Sequence, residues 1–97
     1  MMEIKIIIPS PLRNFTNGER SVNIELDEHS SILDSINKLN DIYTGISAKI
    51  IDENNSLHNF VNIFMDGEDV RYIEGVDTKL IANCEISIVP AVAGGFK

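Results

Sequence analysis

Apolar and polar positions alternate over two stretches near the start of the chain, with a proline-containing break between them. Met2 to Ile8 is dominated by isoleucine and reads as a first strand, stopped by Pro9 and Pro11. After "PLRNFTNGER", Val22, Ile24 and Leu26 alternate with Asn23 and Glu25, the signature of a half-buried second strand. Asn17-Gly18 is the strongest hairpin signal and predicts that the two strands pair antiparallel. The period then changes. Ile32, Ile36, Leu39 and Tyr43 recur at helical spacing, with Leu33 alongside. Ser30 or Ser31 supplies an N-cap, and Asp34 falls where the positive end of the helix dipole favours it. The helix is expected to stop between Asn40 and Gly45.

Beyond the helix, "ISAKII" allows a short turn and "DENNS" is a loop by composition. Phe60 to Met65 reads as a third strand, and Asp66-Gly67 as a turn into a fourth at Val70 to Ile73. "GVDTKLIANC" is irregular, with room for one helical turn. A last strand runs from Cys84 or Glu85 to Val89, with Ile86 and Ile88 facing one way. The order predicts an α+β domain over residues 1–91, with one main helix across one face of a mixed sheet of four to five strands. Residues 92–97 are left as a tail. Periodicity gives this order but not the strand pairing.

Composition narrows the partners. Eight Lys and Arg against fifteen Asp and Glu give a net charge of −7, which repels phosphate and disfavours nucleic acid and anionic membranes. The balance suits a basic protein surface, or simple solubility. Cys84 is the single cysteine, so no internal disulfide can form. No apolar run approaches the ~20 residues that span a bilayer. "MMEIKIIIPS" is unlike a signal peptide, and a reducing, cytoplasmic setting is expected.

A conventional active site is hard to find. His29 and His58 are far apart, and His58 has only Asp52 and Glu53 nearby, so a surface-loop histidine is the plainer reading. Cys84 precedes an apolar strand and reads as a small core residue. Asp66, Glu68 and Asp69 lack the spacing of a calcium loop and read as a solvated hairpin. No Gly-rich loop joins a strand to a helix. No metal, bound cofactor or catalytic side chain is expected. What remains is the closing "PAVAGGFK" with Gly94-Gly95. Lacking Cβ atoms, glycines can thread a narrow slot, and a terminal glycine carboxylate is open to activation as an acyl-adenylate. A frayed terminus that happens to hold glycines is the alternative.

Several stretches together resemble the ubiquitin-like sulfur carriers of the β-grasp fold, the ThiS/MoaD family, and most closely its CysO-type branch of cysteine biosynthesis. "IPSPLRNFTNGERSV" is similar to that branch's first hairpin, "LHNFVNIFMDGEDVRYIEGVDTKL" to its central segment, and "ISIVPAVAGG" to its last strand and tail. The resemblance covers nearly the whole chain. It implies a ubiquitin-like fold and a carrier acted on by partner enzymes, not an enzyme. It implies that an ATP-using, ubiquitin-activating-like enzyme adenylates the terminal glycine, which becomes a thiocarboxylate. It further implies sulfur transfer to an acceptor on a pyridoxal-phosphate synthase, and release by a JAMM-type zinc metalloprotease. Here the reacting carboxylate would be that of Gly95, with Gly94 giving access.

Phe96 and Lys97 depart from that pattern, because they follow the glycine that must be free. They read as a short extension removed at the Gly95-Phe96 bond, or as permanent residues of a protein that is not a carrier. The same tail would serve a modifier joined to lysines through Gly95, or the small subunit of a molybdopterin-synthase-like complex. A docking face is expected on the sheet side away from the helix, with Phe60, Asn62, Phe64 and Arg71 as candidates. Core packing or a covered edge is the commoner fate of such a Phe pair, and a plain surface charge that of Arg71.

Overall fold

The structure is a computed structural model that describes residues 1–90; residues 91–97 lie outside the described part. Five strands and one α-helix are built in the order β1 (Met2–Ile7), β2 (Ser21–Leu26), α1 (Ile32–Ile42), β3 (Val61–Met65), β4 (Glu68–Asp69) and β5 (Glu85–Pro90). The sheet order is β2-β1-β5-β3-β4, so the first and last strands lie side by side at its centre. They run parallel, and every other pairing is antiparallel. The mixed sheet and its single helix agree with the layout read from the periodicity.

Strand alternation sorts the two faces. Met2, Ile4 and Ile6 pair with Leu26, Ile24 and Val22, and this side carries the core. Ile63, Met65, Ile86 and Ile88 continue the same side on β3 and β5. Ile32, Ile36 and Leu39 of α1 are buried in the same cluster, completing a helix-on-sheet core. Tyr43 and Leu33 pack at its margin. A core isoleucine or leucine cut to alanine at these sites costs roughly 2–5 kcal/mol.

Helix α1 begins where Ser31 accepts from the Asp34 backbone N–H at 3.2 Å, while the Asp34 carboxylate accepts from the Ser31 N–H at 2.8 Å. This reciprocal box satisfies two orphan donors. It settles the N-cap on Ser31 rather than Ser30. At the far end, Gly45 has φ +100, and its N–H donates to Asn40 Oδ1 at 2.9 Å. The helix stops inside the expected window.

Two details differ from the sequence expectation. Asn17 and Gly18 do have positive φ, with the Glu19 N–H donating to the Thr16 carbonyl, but they do not join β1 to β2 directly. The turn lies within a longer connection over residues 8–20, which also holds a 3-10 turn at Ser10–Leu12 and the buried Thr16. Pro9 and Pro11 impose that detour, since neither can donate to a ladder. The fourth strand also lies earlier than expected. Asp66-Gly67 closes a tight hairpin, Met65 pairs with Glu68, and β4 ends at Asp69. Val70–Tyr72 is a 3-10 turn because the Asp69 carboxylate accepts from the Arg71 N–H at 2.9 Å and bends the chain. The "ISAKII" turn appears at Ser47–Lys49 and the irregular segment's turn at Gly75–Asp77. Among the described residues, no helix is long and apolar enough to cross a membrane.

Candidate functional site

β5 leads toward the tail, so its end places whatever follows. It finishes at Pro90, which pairs with Val61 at the start of β3. Because β1 runs parallel to β5, the end of β1 lies at the same end of the sheet. Gly94, Gly95, Phe96 and Lys97 themselves lie outside the described residues.

The sheet side away from α1 carries the residues of opposite parity. On β3 these are Asn62 and Phe64, on β5 Ser87 and Val89, and on β1 Ile7. Phe64 and Ile7 both pair with Ser87, and Asn62 pairs with Val89, so these five side chains occupy neighbouring positions. Phe64 and Ile7 are half-buried, whereas Val89 is 41% exposed and Phe60, just before β3, is 57% exposed. The Phe pair therefore belongs neither to the core nor to a covered edge. Towards the other end the same face turns polar, with Lys5 beside Glu85 and Asn23, and Glu3 beside Glu25.

Arg71 is exposed but engaged. Its guanidinium donates to Asn62 Oδ1 at 2.9 Å, to the His58 carbonyl at 2.8 Å and to the Val61 carbonyl at 2.7 Å. It thus binds the 3-10 turn after β4 to the start of β3. His58 in turn stacks on Phe60, with ring centroids 5.0 Å apart, and its Nε2 sits 2.9 Å from the Ala48 carbonyl. The four candidates named from the sequence fall in one region: Asn62 and Phe64 on the open face, Phe60 at the start of β3, and Arg71 tying the two segments. Ile7 and Val89 escaped the sequence reading. The run Ile6-Ile7-Ile8 shows no alternation, and only pairing with Ser21 and Ser87 reveals which way Ile7 faces.

The remaining titratable groups have local roles. The Asp52 carboxylate accepts from the Ser56 and Asn54 N–H groups, and these bonds, with His58 nearby, hold it below the usual carboxylate range. The Asp66 N–H donates to the Glu85 carbonyl, and its carboxylate accepts from the Glu85 N–H, both at 2.9 Å. Asp66 is therefore turned back onto β5 and away from Glu68 and Asp69. Among the described residues, no three His, Cys, Asp or Glu side chains gather as a metal site. Cys84 is buried; desolvation, with Asp66 adding to it, pushes its thiol above the ordinary range. His29 stands in a turn with φ +75.

Comparison with known proteins adds what geometry alone lacks. The model of the ThiS family matches residues 6–95. The chain is 38% identical over 96 residues to the sulfur carrier protein CysO of Mycobacterium tuberculosis, covering 97% of this chain and all of the relative. The small archaeal modifier protein 3 of Haloferax volcanii is 28% identical over 80% of this chain and 84% of its own. Among solved structures, the crystal structure of the Amycolatopsis orientalis BexX/CysO complex matches with TM-score 0.86 and 34% identity, over 95% of this chain and 99% of that one. Sheet order, helix placement and these matches agree, and the chain belongs to the ThiS family with its β-grasp, ubiquitin-like fold.

Proposed function

We propose that this protein is a sulfur carrier whose reacting group is the carboxylate of Gly95, exposed when Phe96-Lys97 is removed. The observation that carries the reading is the kinship with a named sulfur carrier along the full chain, including a family match that reaches Gly95 and stops there. The chemistry is then assigned to the tail. An adenylating enzyme uses ATP to convert the glycine carboxylate to an acyl-adenylate with release of pyrophosphate, and sulfide-level sulfur attacks the acyl carbon and displaces AMP to leave a thiocarboxylate. A partner then takes that sulfur for cysteine or a related metabolite. A JAMM-type zinc metalloprotease would remove the extension, and a pyridoxal-phosphate synthase would hold the acceptor. The carrier contributes no catalytic side chain and binds no cofactor in this scheme; its work is cytoplasmic.

Its own contribution is presentation. The tail leaves from a central strand, which is held by two neighbours and so gives the reacting end a fixed origin. The open face with Phe64, Ile7 and Val89 beside Asn62 offers an apolar patch for the adenylating enzyme, and Arg71 with Phe60 shapes its border. Glycine at position 95 lets an enzyme approach the carboxyl carbon without meeting a Cβ. Gly95→Ala in the processed chain should leave thermal stability unchanged and abolish adenylate formation. Adenylation at the wild-type rate would contradict the steric role of Gly95.

A second reading has a specific observation behind it, the likeness to a small archaeal modifier protein. A modifier would use the same Gly95 carboxylate to acylate lysines of other proteins. Peptide mapping of captured conjugates separates the two: Gly-Gly remnants on target lysines support the modifier, and their absence beside a thiocarboxylate supports the carrier.

A further inference from the structure

A groove of about 470 Å³ opens at the end of the sheet where β1 and β5 both finish. Its wall is built from Pro9, Leu12, Phe15, Phe60, Ile88 and Pro90. Two of its aromatic sides are braced. Phe60 is stacked on His58, and the Phe15 ring rests so close to Gly45 that a Cβ there would meet it at 3.4 Å. A preformed apolar slot of this size accepts an aromatic side chain at small ordering cost.

We propose that the occupant is Phe96 of the same chain, so that the tail is docked against the domain while the Phe96-Lys97 extension is present. Pro90, the last described residue, is itself part of the wall, so the tail starts at the groove. Six residues extend at most about 20 Å, ample for Phe96 to return to a slot at its own point of departure. The return needs a sharp reversal, and Gly94-Gly95 stand directly before Phe96. Phe96 is the only aromatic residue after Pro90, and the groove lining contains no acidic or basic side chain except Lys49. A short tether also gives the chain's own phenyl ring an effective concentration in the millimolar range, which a separate partner or a second copy must exceed.

The consequence is a built-in hold on the processing step. With Phe96 seated, the Gly95-Phe96 bond is kept against the domain and withheld from a protease, and the Gly95 carboxylate exists only once that bond is cut; removing the extension empties the groove. This consequence rests on the reading of Phe96-Lys97 as removable, whereas the seat itself does not.

Isotope-labelled full chain, the Phe96→Ala variant and the chain ending at Gly95 test the seat by NMR. The proposal predicts contacts from the Phe96 ring to the Leu12 and Ile88 methyl groups in the full chain. It predicts matching shift changes at Phe15 and Phe60 in both altered chains, with Phe64 and Val89 unmoved. Carboxypeptidase Y should release Phe96 at least about threefold faster from Phe60→Ala than from the parent, since trimming follows the open fraction. Absent ring contacts with groove signals identical in all three chains would overturn the seat. So would groove shifts that grow with protein concentration, which would make the occupant a second copy. A seated Phe96 that cells never remove would overturn only the regulatory consequence, and a processed chain without ring contacts would overturn only the seat.

Discussion

Arg71 and Asn62 hold each other across the start of β3, with the guanidinium donating to Asn62 Oδ1 at 2.9 Å while also reaching the carbonyls of His58 and Val61. A planar fork meets three acceptors at once, which an ammonium cannot reproduce. Arg71→Ala should lower unfolding stability by about 1–2 kcal/mol in urea titration, a sum discounted for the exposure of the guanidinium. Arg71→Lys should recover less than half of the loss. Full recovery by lysine would show that charge alone matters.

Gly45 is the second point where one residue type is dictated. Its φ of +100 follows α1, a conformation that strains any side chain, and an added Cβ would lie 3.4 Å from the Phe15 ring, in contact with it. Gly45→Ala should cost about 1–2 kcal/mol. It should also perturb the Phe15 signals of the groove. A neutral effect would show that this turn can relax.

Much of this fold was legible because local and global preferences agree. Val22, Ile24 and Leu26 alternate and are the inward or margin positions of β2, and Ile32, Ile36 and Leu39 form the inner stripe of α1. The sequence offered Ser30 or Ser31 as the N-cap and placed Asp34 in the first turn, and the reciprocal bonds of Ser31 with Asp34 decided between them. What escaped were features fixed by contacts distant in sequence. The parallel pairing of β1 with β5 depends on residues some eighty positions apart, and no periodicity reports it. The short β4 depends on one side-chain bond, from the Arg71 N–H to Asp69, that outcompetes a strand at Val70 to Ile73. For the proposed docking face, Phe60, Asn62 and Phe64 share one parity into β3, Arg71 was named on an expected strand that is a 3-10 turn, and the places of Ile7 and Val89 needed the register.

Cys84 offers a check on burial. Its thiol is raised by desolvation, so the folded protein keeps the proton at pH values where the unfolded chain has lost it. This group's contribution to stability is full below the unfolded thiol's range and declines as pH rises through the folded value. Thiol-reactive reagents at pH 8 should label the native protein far more slowly than the urea-unfolded chain. Equal rates would show that Cys84 is accessible.

Phe64 tests the open face as a docking surface. It lies half-buried between Ser87 and Asp69 positions, away from the core. Phe64→Arg should change stability by less than about 1 kcal/mol. It should weaken binding to the adenylating enzyme by roughly thirtyfold, the loss expected for an aromatic anchor of about 2 kcal/mol. Unchanged affinity would move the docking surface elsewhere.

The carrier reading turns on the state of the tail in the cell. Cleavage after Glu85 of protein isolated from its native cell releases the peptide that begins at Ile86, and its sequence up to Gly95 contains neither Met nor Cys. A mass gain there cannot be ordinary sulfur oxidation of those side chains. The account predicts a peptide ending at Gly95, part of it about 16 Da heavier through exchange of one oxygen for sulfur. A peptide that always ends in Phe96-Lys97, with no sulfur-bearing form, would contradict it.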